Sequence, residues 1–149
     1  MYDNEIKKYS AQYNINPLVI KALIEKESGF DTWASRFESH WRWFVSVKKF
    51  ARKNKISFDT EKTLQSTSFG LCQVMGGVAR ELGFEGQLTK LCIPSIGIEL
   101  GCKKLRQCLD RWGSLDRALA AYNAGSPESS VGKKYAESIF KIMERTTYG

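Results

Sequence analysis

Apolar residues recur along most of this chain every three or four positions, which is the spacing of helices that bury one side. One such segment begins with Asn16 and Pro17, a favourable helix cap and first residue, and stops at Gly29, a favourable helix end. No alternating pattern typical of a half-buried strand competes. The sequence therefore predicts an all-α domain, with helices at about residues 4–13, 17–28, 41–55, 59–65, 71–82, 94–112, 115–124 and 133–143.

Glu27 interrupts the expected pattern of the second predicted helix. It continues the apolar stripe of Ile20, Leu23 and Ile24, so a carboxylate stands where an apolar side chain is expected. It also lies in the last turn, where the helix dipole disfavours negative charge. Glu25 lies off the stripe and is expected to be an ordinary surface residue. Local rules broken at one residue indicate a functional site.

A carboxyl group held against apolar side chains has a raised pKa, because burial disfavours its charged form. If Glu27 stays protonated near neutral pH, it can donate a proton to a leaving oxygen as a general acid. The alternative is a glutamate at a frayed helix end that points to water. Periodicity alone leaves both interpretations open.

Composition indicates one folded domain, residues 1–149, with an anionic partner. The 23 Lys and Arg residues outnumber the 16 Asp and Glu, giving a formal net charge of +7. Such a balance favours nucleic acid, an acidic membrane or an anionic polymer such as a cell wall. With His40 as the only histidine and no zinc-type cysteine spacing, we expect no metal or other cofactor. Cys72, Cys92, Cys102 and Cys108 are expected to be mostly buried free thiols.

Five short motifs occur in a fixed order along the chain. They are E-S-G-F-D at 27–31, F-G-L-C-Q-V-M at 69–75, I-G-I-E-L-G-C-K-K-L at 96–105, A-Y-N-A-G at 121–125, and Tyr135 in the following helix. Together they resemble the motifs of soluble lytic transglycosylases, namely E-S-x-x-N, G-L-M-Q-[IV]-M, N-I-x-x-G-x-x-Y-L, A-Y-N-A-G, which matches outright, and a tyrosine in the helix that follows. Residues 69–75 are also similar to the F-G-L-M-Q-V segment of goose-type lysozymes.

The resemblance implies a lysozyme-like helical fold that cleaves the β-1,4 bond between N-acetylmuramic acid and N-acetylglucosamine. It implies that Glu27 is the general acid and then the base, giving a 1,6-anhydro product without a second carboxylate. By the same resemblance, six further residues line or support the groove. Met75 and Tyr122 could instead be core residues, and Gln73 falls off its apolar stripe. These supporting residues are Ser28, which holds the following loop, Gln73, Met75, Tyr122, Asn123 and Tyr135, which supports Glu27.

Three departures from the family pattern stand out. Cys72 replaces the usual methionine, and Gly76 stands where the pattern has a proline. The largest departure is an insertion at about residues 35–66, which carries the predicted amphipathic helix 41–55; six of the 23 basic residues lie in that helix. That helix either covers the core with a solvated basic face or forms a wall of the glycan groove. Glu38 is the candidate second carboxylate if the enzyme is a hydrolytic muramidase instead.

Two other classes compete with a peptidoglycan-cleaving enzyme. A basic helical protein could bind DNA through residues 41–55, and a wall-binding module could keep the fold without catalysis. The five ordered motifs oppose the first, and intact Glu27 and Ser28 oppose the second. We therefore expect a monomer that binds peptidoglycan glycan strands, not nucleic acid, and does not insert stably into a membrane. It is expected to act in the periplasm or wall, either released like a phage endolysin or as a mature form whose signal was removed.

Overall fold

The computed structural model describes residues 1–148, in which helices predominate and one small sheet lies beside them. A short 3-10 helix at Leu88–Cys92 precedes the longest helices. The elements in chain order are α1 (Asp3–Gln12), α2 (Pro17–Ser28), β1 (Ser35–Phe37), α3 (Val47–Asn54), α4 (Phe58–Gln65), β2 (Thr67–Phe69), β3 (Val74–Met75), α5 (Gly76–Glu81), α6 (Pro94–Trp112), α7 (Leu115–Ala124) and α8 (Ser130–Tyr148).

The core lies where α2 packs against α1 and α8, and where α6 and α7 close the other side. The predicted stripe of α2 is confirmed, since Ile20, Leu23 and Ile24 are fully buried. Leu105 of α6 and Ile139 of α8 are equally inaccessible. Each such side chain contributes about 1.5–3 kcal/mol by leaving water. This packing holds α2, α6, α7 and α8 in fixed relation to one another.

Both ends of α2 form as the sequence predicts. The Asn16 side chain accepts a hydrogen bond from the Leu18 N–H at 2.9 Å, and Pro17 opens the first turn. Gly29 ends the helix in the left-handed region, with φ of 59°. Glu27 therefore occupies the last turn of a helix whose bounds are set by local chemistry.

The predicted all-α fold class is confirmed, and the departure from it is a small sheet between residues 35 and 75, where the sequence pattern predicted no strand. Three antiparallel strands form a sheet in the order β1–β2–β3, with Arg36 opposite Ser68 and Ser68 opposite Met75. The predicted helix 71–82 is accordingly shortened to α5. The backbone is left-handed at Gly70 (φ 74°), just before the predicted helix, and at Gln73 (φ 49°), within its first turn. The alternation rule missed β2 because all three of its residues are buried.

The predicted helix 41–55 is also only partly correct, because α3 begins at Val47. Ahead of it, Val45 lies outside any helix, and the buried side chain of Gln65 satisfies both polar groups of its backbone. The Val45 N–H donates to Gln65 Oε1 and the Gln65 amide donates to the Val45 carbonyl, each at 2.8 Å. A side chain thus supplies the hydrogen bonds that a helix would otherwise provide. Apolar spacing in the sequence cannot indicate such a partner.

All four cysteines are free thiols, three of them buried and Cys108 partly buried. Across residues 1–148, no helix combines the length and the apolar character needed to cross a membrane. In the same part of the chain, no three potential ligands cluster in a way that could hold a metal ion.

Candidate active site

Glu27 and Tyr135 meet where α2 packs on α8. The Tyr135 hydroxyl donates a hydrogen bond to Glu27 Oε1 at 2.8 Å, across 108 positions of sequence. Tyr135 is buried, whereas Glu27 is half-buried and retains access to solvent. Glu25, two residues earlier, instead pairs with Arg145 at the surface, with 2.6 Å between Oε2 and the guanidinium nitrogen. Two glutamates of one helix therefore have different surroundings.

Burial raises the pKa of Glu27 above its usual range, and this is the largest influence on the group. The Tyr135 hydrogen bond and the charges of Lys104 and Lys26 lower the pKa, but the net direction remains upward. Burial and the Glu27 charge raise the pKa of Tyr135. Tyr135 therefore stays a neutral donor, and it orients the Glu27 carboxyl without supplying a full positive charge.

Lys104 of α6 adds an ammonium group to the surroundings of Glu27. Its Nζ donates to the Tyr122 carbonyl at 2.9 Å and lies 3.9 Å from the centre of the Tyr122 ring. Burial lowers the pKa of Lys104, and the Glu27 carboxylate opposes that shift. The sequence predictions missed this residue. The N-I-x-x-G-x-x-Y-L pattern contained an indication of it, because a lysine stands at the tyrosine position of that motif.

The segment at Leu71 and Cys72 is held against the end of α2 by two hydroxyl groups. The Ser28 hydroxyl lies 2.9 Å from the Leu71 carbonyl, and the Tyr122 hydroxyl donates to the Cys72 carbonyl at 2.8 Å. Close packing against α6 requires Gly101, because a Cβ atom there would lie 2.5 Å from the Cys72 sulfur. Ser28, which follows Glu27, and Tyr122, which contacts Lys104, are thereby connected through the segment at Leu71 and Cys72.

Two of the predicted groove residues, Tyr122 and Gln73, occupy different environments. Tyr122 is only 3% exposed, so the structure favours its core alternative, in which it supports the site from beneath. The side chain of Gln73 stabilises a turn through three hydrogen bonds. Its amide donates to the carbonyls of Ala34 (3.0 Å) and Gly70 (2.9 Å), and its oxygen accepts from the Ser68 hydroxyl at 2.9 Å. This use of both amide groups explains why the residue falls off the apolar stripe.

Met75 and Asn123 keep accessible surface. Met75, predicted as a groove residue with a core position as the alternative, is partly exposed at the end of β3. Asn123 is exposed near the end of α7, immediately after the buried Tyr122. Both side chains remain available to a ligand, and their groove role remains a prediction.

A family model described as the transglycosylase SLT domain matches residues 4–142 of the chain. The chain belongs to this family. The match spans both the helical core and the insertion, so the SLT domain includes every element that contributes to the Glu27 site.

Two relatives and one solved structure resemble this SLT domain. A protein named transglycosylase from Enterobacteria phage PRD1 is 27% identical over 135 residues, which are 91% of this chain and 39% of that protein. Protein IpgF from Shigella sonnei is 28% identical over 138 residues, 90% of this chain and 75% of the relative. The X-ray structure of an inactive mutant of lytic transglycosylase Slt from Pseudomonas aeruginosa matches 94% of this chain and 23% of its own, with a TM-score of 0.63 and 18% identity. This likeness shows the lysozyme-like fold.

Glu38, the candidate second carboxylate, follows β1 in the insertion of the SLT domain. Its Oε1 pairs with Arg36 at 3.0 Å, and His40 Nδ1 lies 3.9 Å from its Oε2. The charges that shift the pKa of Glu27 are those of Lys104 and Lys26, and Glu38 is not among them. Glu38 therefore forms its own ion pair with Arg36, and its charge is not among the influences on the pKa of Glu27.

The insertion also accounts for the missing proline of the family pattern. A Cβ atom at Gly77 would lie 2.7 Å from Nε1 of Trp41, and one at Gly76 would collide with the Leu64 carbonyl. The inserted residues therefore pack directly on the first turn of α5. The indole nitrogen of Trp41 is buried there without an acceptor among the described residues. Two glycines take the place of larger residues because the insertion occupies that space.

Proposed function

We propose that this SLT domain is a peptidoglycan lytic transglycosylase that cleaves the β-1,4 bond between N-acetylmuramic acid and N-acetylglucosamine. Family membership and the PRD1 relative named transglycosylase support the reaction class. The chain spans 39% of the length of that relative. The observation that carries the proposal is the Glu27 carboxyl, which is half-buried, raised in pKa and held by Tyr135 at 2.8 Å.

In the first step, protonated Glu27 donates its proton to the glycosidic oxygen while positive charge develops at the anomeric carbon. Its raised pKa keeps the proton in place to higher pH than an ordinary glutamate would. Tyr135 holds one carboxyl oxygen, so the other is free to face the leaving oxygen. A group fixed in this way reacts without first losing its own rotational freedom.

In the second step, the carboxylate of Glu27 accepts the proton of the sugar's own 6-hydroxyl as that oxygen bonds to the anomeric carbon. The product is a 1,6-anhydro sugar, no water is consumed, and Glu27 regains its proton. The Lys104 ammonium stabilises the carboxylate between the two steps. A single titrating carboxyl suffices for this sequence, and the separate ion pair of Glu38 supports it over the hydrolytic alternative.

The expected partner is the glycan strand of peptidoglycan, and the expected place of action is the periplasm or the wall. We propose that the domain works as a monomer, because the Glu27 site is assembled from α2, α6, α7 and α8 of one chain. Met75 and Asn123 are the accessible residues proposed to contact the strand.

A paired substitution tests the assignment of the acid. We expect Glu27→Gln to abolish the clearing of a peptidoglycan suspension, with a loss of about 10²–10⁴-fold. Glu25→Gln, on the same helix but at the surface, should retain nearly full activity. Equal rates for Glu27→Gln and the parent would overturn the assignment. Mass spectrometry of the soluble products decides the outcome: anhydro ends support a transglycosylase, and reducing ends with one added water support a muramidase using Glu38.

A further inference from the structure

The insertion contains a cleft that the proposed chemistry does not use. The cleft has a volume of about 230 Å³ and lies between residues 37–44 and α4. It is lined by aromatic side chains, hydroxyl groups and one lysine, namely Phe37, Trp41, Phe44, Ser39, Thr63 and Lys62. We call it the insertion cleft. None of its lining residues comes from α2, α6, α7 or α8, which build the Glu27 site.

The aromatic side chains around the insertion cleft are unusually exposed for a folded domain. Phe37, which lines the cleft, is 58% exposed, and Trp43, which lies beside it, is 53% exposed. Trp43 packs edge-on against Trp41, with ring centres 5.1 Å apart, and the Arg42 guanidinium covers it at 5.0 Å. Exposed aromatic faces beside hydrogen-bonding groups suit a ligand that has both apolar and polar faces, as a sugar ring does.

The charge of the insertion cleft is positive and is not neutralised. Lys62 lies 5.3 Å above the Phe44 ring, and neither Lys62 nor Arg42 forms an ion pair within residues 1–148. No carboxylate lines the cleft. The nearby acids Glu38 and Glu61 are already paired with Arg36 and Arg80. The complementary ligand therefore carries a negative charge.

Buried polar contacts hold the walls of the insertion cleft in place before any ligand arrives. Gln65 fixes Val45 through both backbone groups and is itself held by Glu61 Oε2 at 2.7 Å. Arg80 then fixes Glu61 through two hydrogen bonds of 3.0 and 2.7 Å. A preformed wall lowers the entropic cost of binding, so a shallow cleft can still contribute useful affinity.

We propose that the insertion cleft is an auxiliary binding site for an acidic amino-sugar unit of peptidoglycan, with Phe37 against the sugar ring and Lys62 facing a carboxylate. The proposal rests on the proposed function for the identity of the polymer. At about 230 Å³ the cleft is smaller than the ~300–1,000 Å³ typical of small-molecule sites, so it holds one ring rather than an oligosaccharide. Such a site retains the enzyme on the insoluble wall while cleavage takes place at Glu27.

Binding to insoluble wall material tests the site without interference from cleavage. The full chain carrying Glu27→Gln is sedimented with purified peptidoglycan sacculi, alone and with Phe37→Ala or Lys62→Gln added. We expect Phe37→Ala to weaken binding about three- to tenfold and Lys62→Gln about two- to fivefold. Matched controls are Trp33→Ala, whose ring is 77% exposed but lies outside the cleft, and Lys141→Gln on the surface of α8.

A second polymer separates ring recognition from charge recognition. Chitin consists of N-acetylglucosamine without acidic groups, so Phe37→Ala should also weaken chitin binding, whereas Lys62→Gln should not. Unchanged sacculus binding in both cleft variants overturns the proposal, and so does an equal loss in Trp33→Ala. A loss of chitin binding in Lys62→Gln overturns the acidic recognition.

Cleavage by the active chain separates this proposal from the proposed function. Phe37→Ala with Glu27 intact should cleave short soluble glycan fragments at the parental rate and insoluble sacculi more slowly. If the parent cleaves neither, the proposed function fails, while the sedimentation result still decides the insertion cleft. If Phe37→Ala slows both substrates equally, the auxiliary role is overturned, because Phe37 then contributes to the cleavage site.

Discussion

Glu27 and Glu61 are two glutamates on helices whose neighbours assign them opposite tasks. Glu61 is fully buried in the insertion, where the guanidinium of Arg80 cancels its charge through two hydrogen bonds. Glu27 is half-buried in the helical core, where the neutral hydroxyl of Tyr135 orients it without cancelling its charge. The comparison shows that a cation in direct contact makes a carboxylate structural, whereas a neutral donor leaves it able to exchange a proton.

The largest expected effect comes from breaking the structural pair. Glu61→Gln leaves the Arg80 guanidinium buried without a counter-ion, and such a change costs about 3–5 kcal/mol. We expect a large fall in the free energy of unfolding, measured by urea denaturation. Glu27→Gln replaces a half-buried carboxyl group with an amide of the same shape and should leave that free energy nearly unchanged. If the two variants were equally stable, the contrast between the two regions would be incorrect.

A smaller effect is expected where the insertion meets α5. Gly77→Ala places a Cβ atom 2.7 Å from the Trp41 indole, so the insertion has to shift. Overpacking of this kind costs about 1–3 kcal/mol. Thermal unfolding should show the loss, and the rate on short soluble substrates should change little because the Glu27 site lies on other elements.

The smallest effect is a shift in pH dependence caused by Lys104. Its ammonium lowers the pKa of Glu27, so Lys104→Met should raise that pKa further. Because the acid must be protonated in the free enzyme, the alkaline limb of kcat/KM should move to higher pH. Lys104→Arg keeps the charge and should leave the limb close to its parental position.

Other titratable or charged side chains also face Glu27 from each neighbouring element, and their own titration has to be considered in this pH experiment. Tyr135 approaches from α8, Tyr122 from α7, Cys72 from the β2–β3 turn, and Lys26 from α2 itself. Burial raises the pKa of the tyrosines and of the cysteine, so these groups stay neutral across the working range. A limb that stays in place in Lys104→Met, with activity reduced at every pH, would show that Lys104 contributes only to packing.

Prediction from sequence succeeded where local chemistry decides the structure. The start of α2 at Asn16 and Pro17 and its end at Gly29 agree with the structure, because caps depend on neighbouring residues alone. The anomaly at Glu27 was visible for the same reason, since helical spacing shows which side chains share a face. The candidate acid therefore followed from the periodicity of one helix together with the motif that begins there.

Prediction failed where a residue distant in sequence decides the local structure. Residues 41–46 lie outside any helix, and Gln65 hydrogen-bonds to the Val45 backbone there, while β2 was missed because all three of its residues are buried. Lys104 was overlooked because its importance comes from Glu27 and Tyr122, which lie on other helices. Tyr122 itself matched the family motif, yet only packing shows that it supports the site from the core.

The helical segments, the limits of α2 and the position of Glu27 on it follow from the order of residues, since each depends on neighbours within a few positions. The family resemblance also predicted that Tyr135 supports Glu27, and the hydrogen bond of 2.8 Å agrees with it. That Lys104 lowers the pKa of Glu27 and that Arg80 neutralises Glu61 became evident only in the folded structure. The physical reason is that the charge state of a side chain depends on burial and on partners within a few ångströms. Those partners come from helices up to 108 positions apart in the chain.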